Sequence, residues 1–261
     1  MQIFLINLPN AIERRKFQKS QLSKLGLEYE IIKAISVNDI SESTYNKHYY
    51  DWQRPLLKTE VACYFSHRSA WNRVINSRKP ALILEDDARL SSCVPTILDN
   101  LVDIDNIDLV NLENRSRKKF VSSFDTRLGC NSRLVRLYQD RTGAAGYILW
   151  PSGAKKLIHL EEHSGIGLAD AHITTCHKLK AYQVEPSPLI QLDQCNAYRI
   201  NNSYPDEIST STVSSNNKAK AGIRFTVKRM VNQFKLGLRQ LLLLSKSKRR
   251  YIKIRINDFS I

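Results

Sequence analysis

Apolar residues in this chain come as short runs that alternate with stretches of helical period. Residues 2–7 (QIFLIN) form a β-rich run. After Leu8 and Pro9 comes AIERRKFQKSQLSKLG, with Asn10 placed to cap a helix and Glu13, three residues on, to complete a capping box. Gly26 suits the C′ position of that helix, and residues 28–34 read as a second strand. The chain therefore opens strand–helix–strand, the unit of a parallel sheet.

Residues 36–55 are polar and aromatic without period, a surface excursion. From Thr59, Val61, Tyr64, Phe65, Trp71, Val74 and Ile75 fall at helical spacing until Pro80, after which residues 81–84 make the next strand. A helix is predicted over 94–101 and a strand over 107–112, ending in Glu113. The basic, polar stretch 115–133 reads as a mobile loop. RTGAAGYILW and PSGAKKLIHL read as a Gly-rich turn, a strand and a helix opened by Pro151 and Ser152. LADAHITTCHKL reads as a further helix, and AYQVEPSPLIQL as a strand running into extended chain. This alternation predicts an α/β domain with a mostly parallel central sheet.

At 261 residues with 42% hydrophobic and 25% charged side chains, the chain can bury one sizeable core. MQIFLINLPN has neither the basic nor the long apolar region of a secretory signal, so none is expected. The longest apolar run, LLLL at 241–244, is far short of the roughly 20 residues that cross a bilayer. Five widely spaced cysteines (63, 93, 130, 176 and 195) without a C-x-x-C pair argue for a reducing cytoplasm and against a disulfide framework or zinc site.

The net charge of +15 is concentrated at one end. Residues 218–261 carry 13 Lys and Arg against one acid, Asp258, whereas residues 1–217 carry 27 against 24. The expected organisation is a catalytic domain over 1–202, a linker over 203–217 (SYPDEISTSTVSSNN) and a basic tail over 218–261.

ALILEDDARL, residues 81–90, carries the chemistry. Glu85, Asp86 and Asp87 stand together at the end of an apolar strand, where like charges repel and burial is costly. Ligands of open α/β sheets bind at the carboxyl ends of strands. Carboxylates gathered there suit Mn²⁺ or Mg²⁺, and such a cation suits a diphosphate. The alternative is ordinary helix capping or pairing with Arg89.

INLPNAIERR, EVACYFSHRSAW, ALILEDD and GAAGYILWPSGAKKLI, in that order, resemble glycosyltransferase family 25, the bacterial lipooligosaccharide galactosyltransferases. LADAHI and PLIQ fall where that family has its later Asp-bearing and Gln-bearing segments, so the similarity spans about residues 2–195. It implies a GT-A-like, Rossmann-like nucleotide-binding domain and a UDP-sugar donor, usually UDP-galactose, transferred with inversion to a β-linkage. The acceptor implied is a lipid-linked oligosaccharide of the lipopolysaccharide core. Glu85-Asp86-Asp87 stands where other GT-A enzymes carry Asp-x-Asp. Asp87 is then the first metal ligand, Asp86 the second, and Glu85 a contact to the ribose or a water. Asp170 in LADAHI matches the family's later aspartate and is the expected base, although Leu168-Ala169 replaces the proline usual before it. His172, two residues on, is a further candidate ligand. His67 matches the family's Ser-His pair as a substrate-site residue.

Several more residues belong to the expected site. Asn7 ends the first strand, and Arg14 or Arg15 on a helix whose N-terminus favours anions can reach uracil or phosphate. Glu113 ends a strand as the acids do, and Thr142, Gly143 and Gly146 permit close approach of a sugar.

In the tail, Ile223, Val227, Met230, Val231, Phe234, Leu238, Leu241 and Leu242 lie on one helical stripe, bordered by Arg224, Lys228, Lys235 and Arg239. A basic amphipathic helix of this kind lies in an anionic membrane interface, here the inner face of the cytoplasmic membrane. Nucleic acid is not expected, since the rest of the chain is nearly neutral and carries no such motif. A tail-driven nucleic-acid binder, or a metal-dependent phosphoesterase or glycosidase using the same acids, is the alternative.

Overall fold

The computed structural model describes residues 1–140, 143–200 and 222–260. In chain order it begins β1 (Gln2–Asn7), α1 (Ile12–Lys24), β2 (Glu30–Lys33), α2 (Glu42–His48), α3 (Lys58–Ser77), β3 (Ala81–Glu85), β4 (Ala88–Leu90), α4 (Val94–Leu101) and β5 (Leu109–Asn111). It continues β6 (Lys119–Leu128), β7 (Ser132–Gln139), β8 (Gly146–Leu149), α5 (Pro151–Ser164), α6 (Ala169–Thr175), β9 (Ala181–Glu185) and β10 (Leu189–Gln191). The described chain ends with α7 (Ile223–Leu243) and β11 (Lys248–Arg250).

Nine strands form one sheet in the order β11-β6-β7-β9-β5-β8-β3-β1-β2. The pairings run β1, β2, β3, β5, β6 and β9 one way and β7, β8 and β11 the other. The predicted α/β class with a mostly parallel sheet is therefore present. β4 and β10 pair separately as a short antiparallel ribbon.

β1 and β3 are nearly continuous apolar runs because both sheet faces are covered. Phe4, Ile6 and Ile83 point into one core with Val61, Tyr64 and Trp71 of α3 and Leu157 of α5. Ile3, Leu5, Leu82 and Leu84 point into the other with Leu22 of α1 and Ile97 and Leu101 of α4. Each such side chain contributes about 1.5–3 kcal/mol by leaving water.

Three expectations are corrected and one is met. Asn10 does not cap α1; Ala11 holds that position without a side-chain bond, and Glu13 pairs with Lys16 instead. Gly26 does take the left-handed C′ conformation, with Leu27 N–H closing on Leu22 O. The stretch read as a mobile loop is the β6–β7 hairpin, whose outer half is exposed and so lacks an apolar pattern. Cys93, before α4, and Cys130, in the β6–β7 turn, form a disulfide with Cα atoms 5.9 Å apart, against the expectation of none. Their 37-residue separation concealed that the turn folds back over α4.

The tail is not one unit. β11 extends the main sheet beside β6, and Arg250 places both guanidinium arms on the buried carboxylate of Glu185. Asn114 Nδ2 donates to Ile252 O, Ser187 N–H to Lys253 O, and Arg89 to Phe259 O. Phe259 joins Phe17, Ile190 and Leu192 in a small third core. α7 is held by its polar side: Lys228 Nζ donates to Tyr50 O at 2.7 Å and Arg239 to Tyr138 O at 3.2 Å, while Phe225 stacks on Tyr50. Its apolar stripe faces outward, with Met230 64%, Phe234 74% and Leu241 66% exposed. The expected linker lies outside the described residues. No described helix is long and apolar enough to cross a membrane.

Candidate active site

β1, β2 and β3 run parallel, and a cleft of about 390 Å³ opens where their carboxyl ends meet the start of α1 and one side of α3. Arg14, Cys63, Ser66, His67, Glu85, Asp86, Asp87 and Gln191 are among its lining residues. The three acids reach it because β3 ends at Glu85 and the chain turns at once into β4.

The acids have separate partners. Asp86 is neutralised: Asn7 Nδ2 donates to its Oδ2 at 2.8 Å and Arg14 to its Oδ1 at 3.0 Å. Arg15 in turn donates through Nε to Asn7 Oδ1 at 2.9 Å and through an arm to Pro9 O at 2.7 Å. Asn7 and Arg15, expected to meet the nucleotide, are thus engaged in holding Asp86. Burial nonetheless raises the Asp86 carboxyl, against Arg14.

Among the described residues, no Lys or Arg forms an ion pair with Glu85 or Asp87. Gln191 Nε2 lies 3.3 Å from Glu85 Oε2 and 3.3 and 3.5 Å from the two oxygens of Asp87, so a neutral amide bridges both carboxylates. Burial, and then the charge of Glu85, push the Asp87 carboxyl up to about 7. Two carboxylates aimed at one amide, one of them short of compensation, fit a hard divalent cation. Arg115 donates to Gln191 Oε1 and to Asp193.

Glu113 lies deeper and is fully buried. Ala145 N–H donates to its Oε2 at 2.9 Å, and its Oε1 has no hydrogen-bond partner among the described residues. Burial, then Glu85, push its carboxyl up to about 8. Gly143, expected to face a sugar, instead gives its missing side-chain volume to the Glu113 carboxylate. Lys119, also fully buried, donates to Glu113 O and Gln183 Oε1, and burial brings its ammonium down to about 8.

His67 is in the cleft wall, its Nε2 2.9 Å from Glu85 Oε1. Asp170 opens α6, accepting from Ala171 N–H. Its charge, after burial and Glu85, adds to the rise of the Cys63 thiol, but Asp170 is not among the residues that line the cleft. His172 is not brought to the acids. It packs behind Trp71, rings 5.7 Å apart and nearly parallel, with Nε2 on Leu157 O, and burial keeps it neutral. A ring fixed in that way is not a ligand to a cation in the cleft.

Gln191, Tyr147 and Arg115 are site residues that residue types alone did not single out. PLIQ carried the only sequence signal for Gln191; Arg115 lay in the stretch read as a loop, and Tyr147 read as an ordinary strand residue.

The family model for glycosyltransferase family 25 (LPS biosynthesis protein) matches residues 1–173. A glycosyltransferase 25 family member of Aedes aegypti is 27% identical over 173 residues, which are 60% of this chain and 27% of that protein. Procollagen galactosyltransferase 1-A of Xenopus laevis is 28% identical over 178 residues, 61% of this chain and 28% of that protein. The chain thus spans little more than a quarter of the length of these relatives. Among solved structures, a mutant Drosophila β-1,4-galactosyltransferase 7 complexed with manganese, UDP-Gal and xylobiose superposes with a TM-score of 0.36 at 6% identity, covering 82% of this chain and 81% of that one.

Proposed function

From the premise that the chain belongs to glycosyltransferase family 25, we propose that it transfers a hexose, galactose first among them, from a UDP-sugar to a lipid-linked lipopolysaccharide-core acceptor with inversion. The observation that carries this reading is the convergence of Glu85 and Asp87 on one amide nitrogen, at the carboxyl end of parallel strands and inside a cleft. The galactosyl donor is supported by relatives named as procollagen galactosyltransferases, and the acceptor by the family's description.

Asp87 and Glu85 would hold the cation, Mn²⁺ or Mg²⁺, with Gln191 turning its amide aside. When bound, that cation supplies Lewis-acid neutralisation of charge on the departing diphosphate. Asp86, held by Asn7 and Arg14, stays oriented beside it. Asp170 takes the proton of the acceptor hydroxyl, whose oxygen attacks the anomeric carbon opposite the leaving group.

Membrane docking belongs to the same reading. α7 carries five cations, no acid and an outward apolar stripe, the pattern that seats a helix in an anionic lipid interface. The enzyme then works peripherally on the cytoplasmic face, where a lipid-linked acceptor is presented.

Calorimetry of the full chain with UDP-galactose, UDP-glucose and UDP-N-acetylglucosamine, with Mn²⁺ and then EDTA, tests the donor and the cation together. Binding of one UDP-sugar that EDTA or Asp87→Asn abolishes is the expected result. EDTA-indifferent turnover removes the cation, and release of free sugar in place of transfer makes the protein a hydrolase.

A further inference from the structure

Glu85 is held from behind by a line of three buried side chains. Trp71, fully buried on α3, has an indole N–H that can only donate, and it donates to Tyr147 Oη at 2.8 Å. Tyr147, on β8, is 2% exposed, and burial raises its hydroxyl so far that it keeps its proton. That proton needs an acceptor, and His67 Nδ1 lies 3.0 Å away. A neutral imidazole that accepts at Nδ1 carries its hydrogen on Nε2. Nε2–H then faces Glu85 Oε1 at 2.9 Å and donates to it. The hydrogen bonds all run in one direction, from indole to phenol to imidazole to carboxylate.

We propose that Trp71 and Tyr147 are positioning residues for the transfer site: acting through His67, they fix its Nε2–H tautomer and so pin Glu85 Oε1, leaving Oε2 aimed at the place Gln191 Nε2 now occupies. The tautomer stands on this geometry alone, while its consequence for donor binding rests on the transferase reading.

The line also settles a competing use of the same residues. Cys63, His67 and Glu85 offer a thiol, a ring nitrogen and a carboxylate within 4.8 Å of one another, which suits a thiophilic ion such as Zn²⁺. Nε2 bears the proton, however, so His67 has no lone pair to give there unless the Tyr147 bond is broken. The site is directed to the oxygen ligands at Glu85 Oε2 and Asp87.

The test uses the full chain labelled with ¹⁵N-histidine, the His67 signals being identified by their loss in His67→Gln. Wild type should show a protonated Nε2 and an unprotonated Nδ1 at neutral pH. Tyr147→Phe should displace the Nδ1 resonance while Nε2 keeps its proton. UDP binding in Mn²⁺ should weaken about tenfold in Tyr147→Phe, the size expected when a bond to a charged group is loosened. His67→Gln, which can still donate to Glu85, should bind UDP within about threefold of wild type, whereas His67→Leu should lose about tenfold or more. A wild-type Nδ1 that is protonated, or one unmoved in Tyr147→Phe, overturns the proposal. So does the expected spectrum with equal UDP affinity in His67→Gln and His67→Leu. Failure of wild type to bind UDP, with the expected spectrum, sinks the transferase reading and leaves the tautomer intact.

Discussion

Gly143→Ala probes how the deepest acid is seated. Gly143 has φ +90°, which an L side chain adopts at a cost of about 1–2 kcal/mol. A Cβ built there overlaps Cδ and both oxygens of Glu113. The carboxylate has nowhere to retreat, being fully buried and tied to Ala145 N–H, so overpacking adds about 1–3 kcal/mol. The sum, about 2–5 kcal/mol, should appear in urea unfolding as a lower midpoint at unchanged slope. A cycle with Glu113→Ala isolates the clash. That change alone costs about 1–3 kcal/mol because the Ala145 N–H loses its acceptor. In the double variant the overlap vanishes, so the combined loss should fall short of the sum by about 1–3 kcal/mol. Additivity within about 0.5 kcal/mol would refute the seating of Glu113 against Gly143.

Three further outcomes are expected. Arg250→Ala should cost about 1–3 kcal/mol, less than a fully orphaned buried charge because Arg133 still reaches Glu185 and Arg250 is itself 31% exposed. Burial alone would raise the Glu185 carboxyl, but Arg250 and the Lys253 N–H outweigh it and hold it below its ordinary value. Its stabilisation is therefore present at neutral pH and lost as pH falls through the carboxylate range. The gap between wild type and Arg250→Ala in thermal unfolding should accordingly close toward acid, and a gap that widens there contradicts the sign. Asp170→Asn should lower turnover by about 10²–10⁴ with UDP affinity unchanged, as a lost base does; lost affinity at full turnover would move Asp170 to the donor site. Phe234→Glu combined with Leu238→Glu should abolish co-sedimentation with phosphatidylglycerol vesicles, each apolar side chain being worth about 1.5–3 kcal/mol. Undiminished vesicle binding would place the lipid contact elsewhere.

Much of this architecture was legible because period and burial coincide. β1, β3 and α4 follow their apolar runs almost to the residue, since both faces of the inner strands and one face of the helix leave water. The β6–β7 hairpin was not, because Ser123, Phe124, Asp125, Thr126 and Arg127 extend beyond the core and carry no alternation. Among site residues, the acids declared themselves by adjacency. Asn7 instead holds Asp86, a contact across 79 residues of chain that only the fold reveals, and Arg15 holds Asn7. His172 resembled a ligand by proximity in sequence to Asp170, whereas two residues along α6, about 200° of rotation, turn it away toward Trp71. The division of the tail into a docked strand and an outward-facing helix depends on Glu185, a partner 65 residues upstream of Arg250 that no local pattern reveals.

The clasp between Arg89 and Phe259, 170 residues apart, sets a timetable for biosynthesis. At about 5–20 residues per second, a ribosome that has made the acid-bearing turn works on for roughly 10–30 s before its closing partner exists. For the last 67 residues of that interval Ile190 and Leu192 lack the Phe259 ring that covers them, and the nascent chain offers chaperones a sticky, unfinished edge. Chains that stop before Phe259 should consequently be cleared as misfolded polypeptide rather than persist as folded protein.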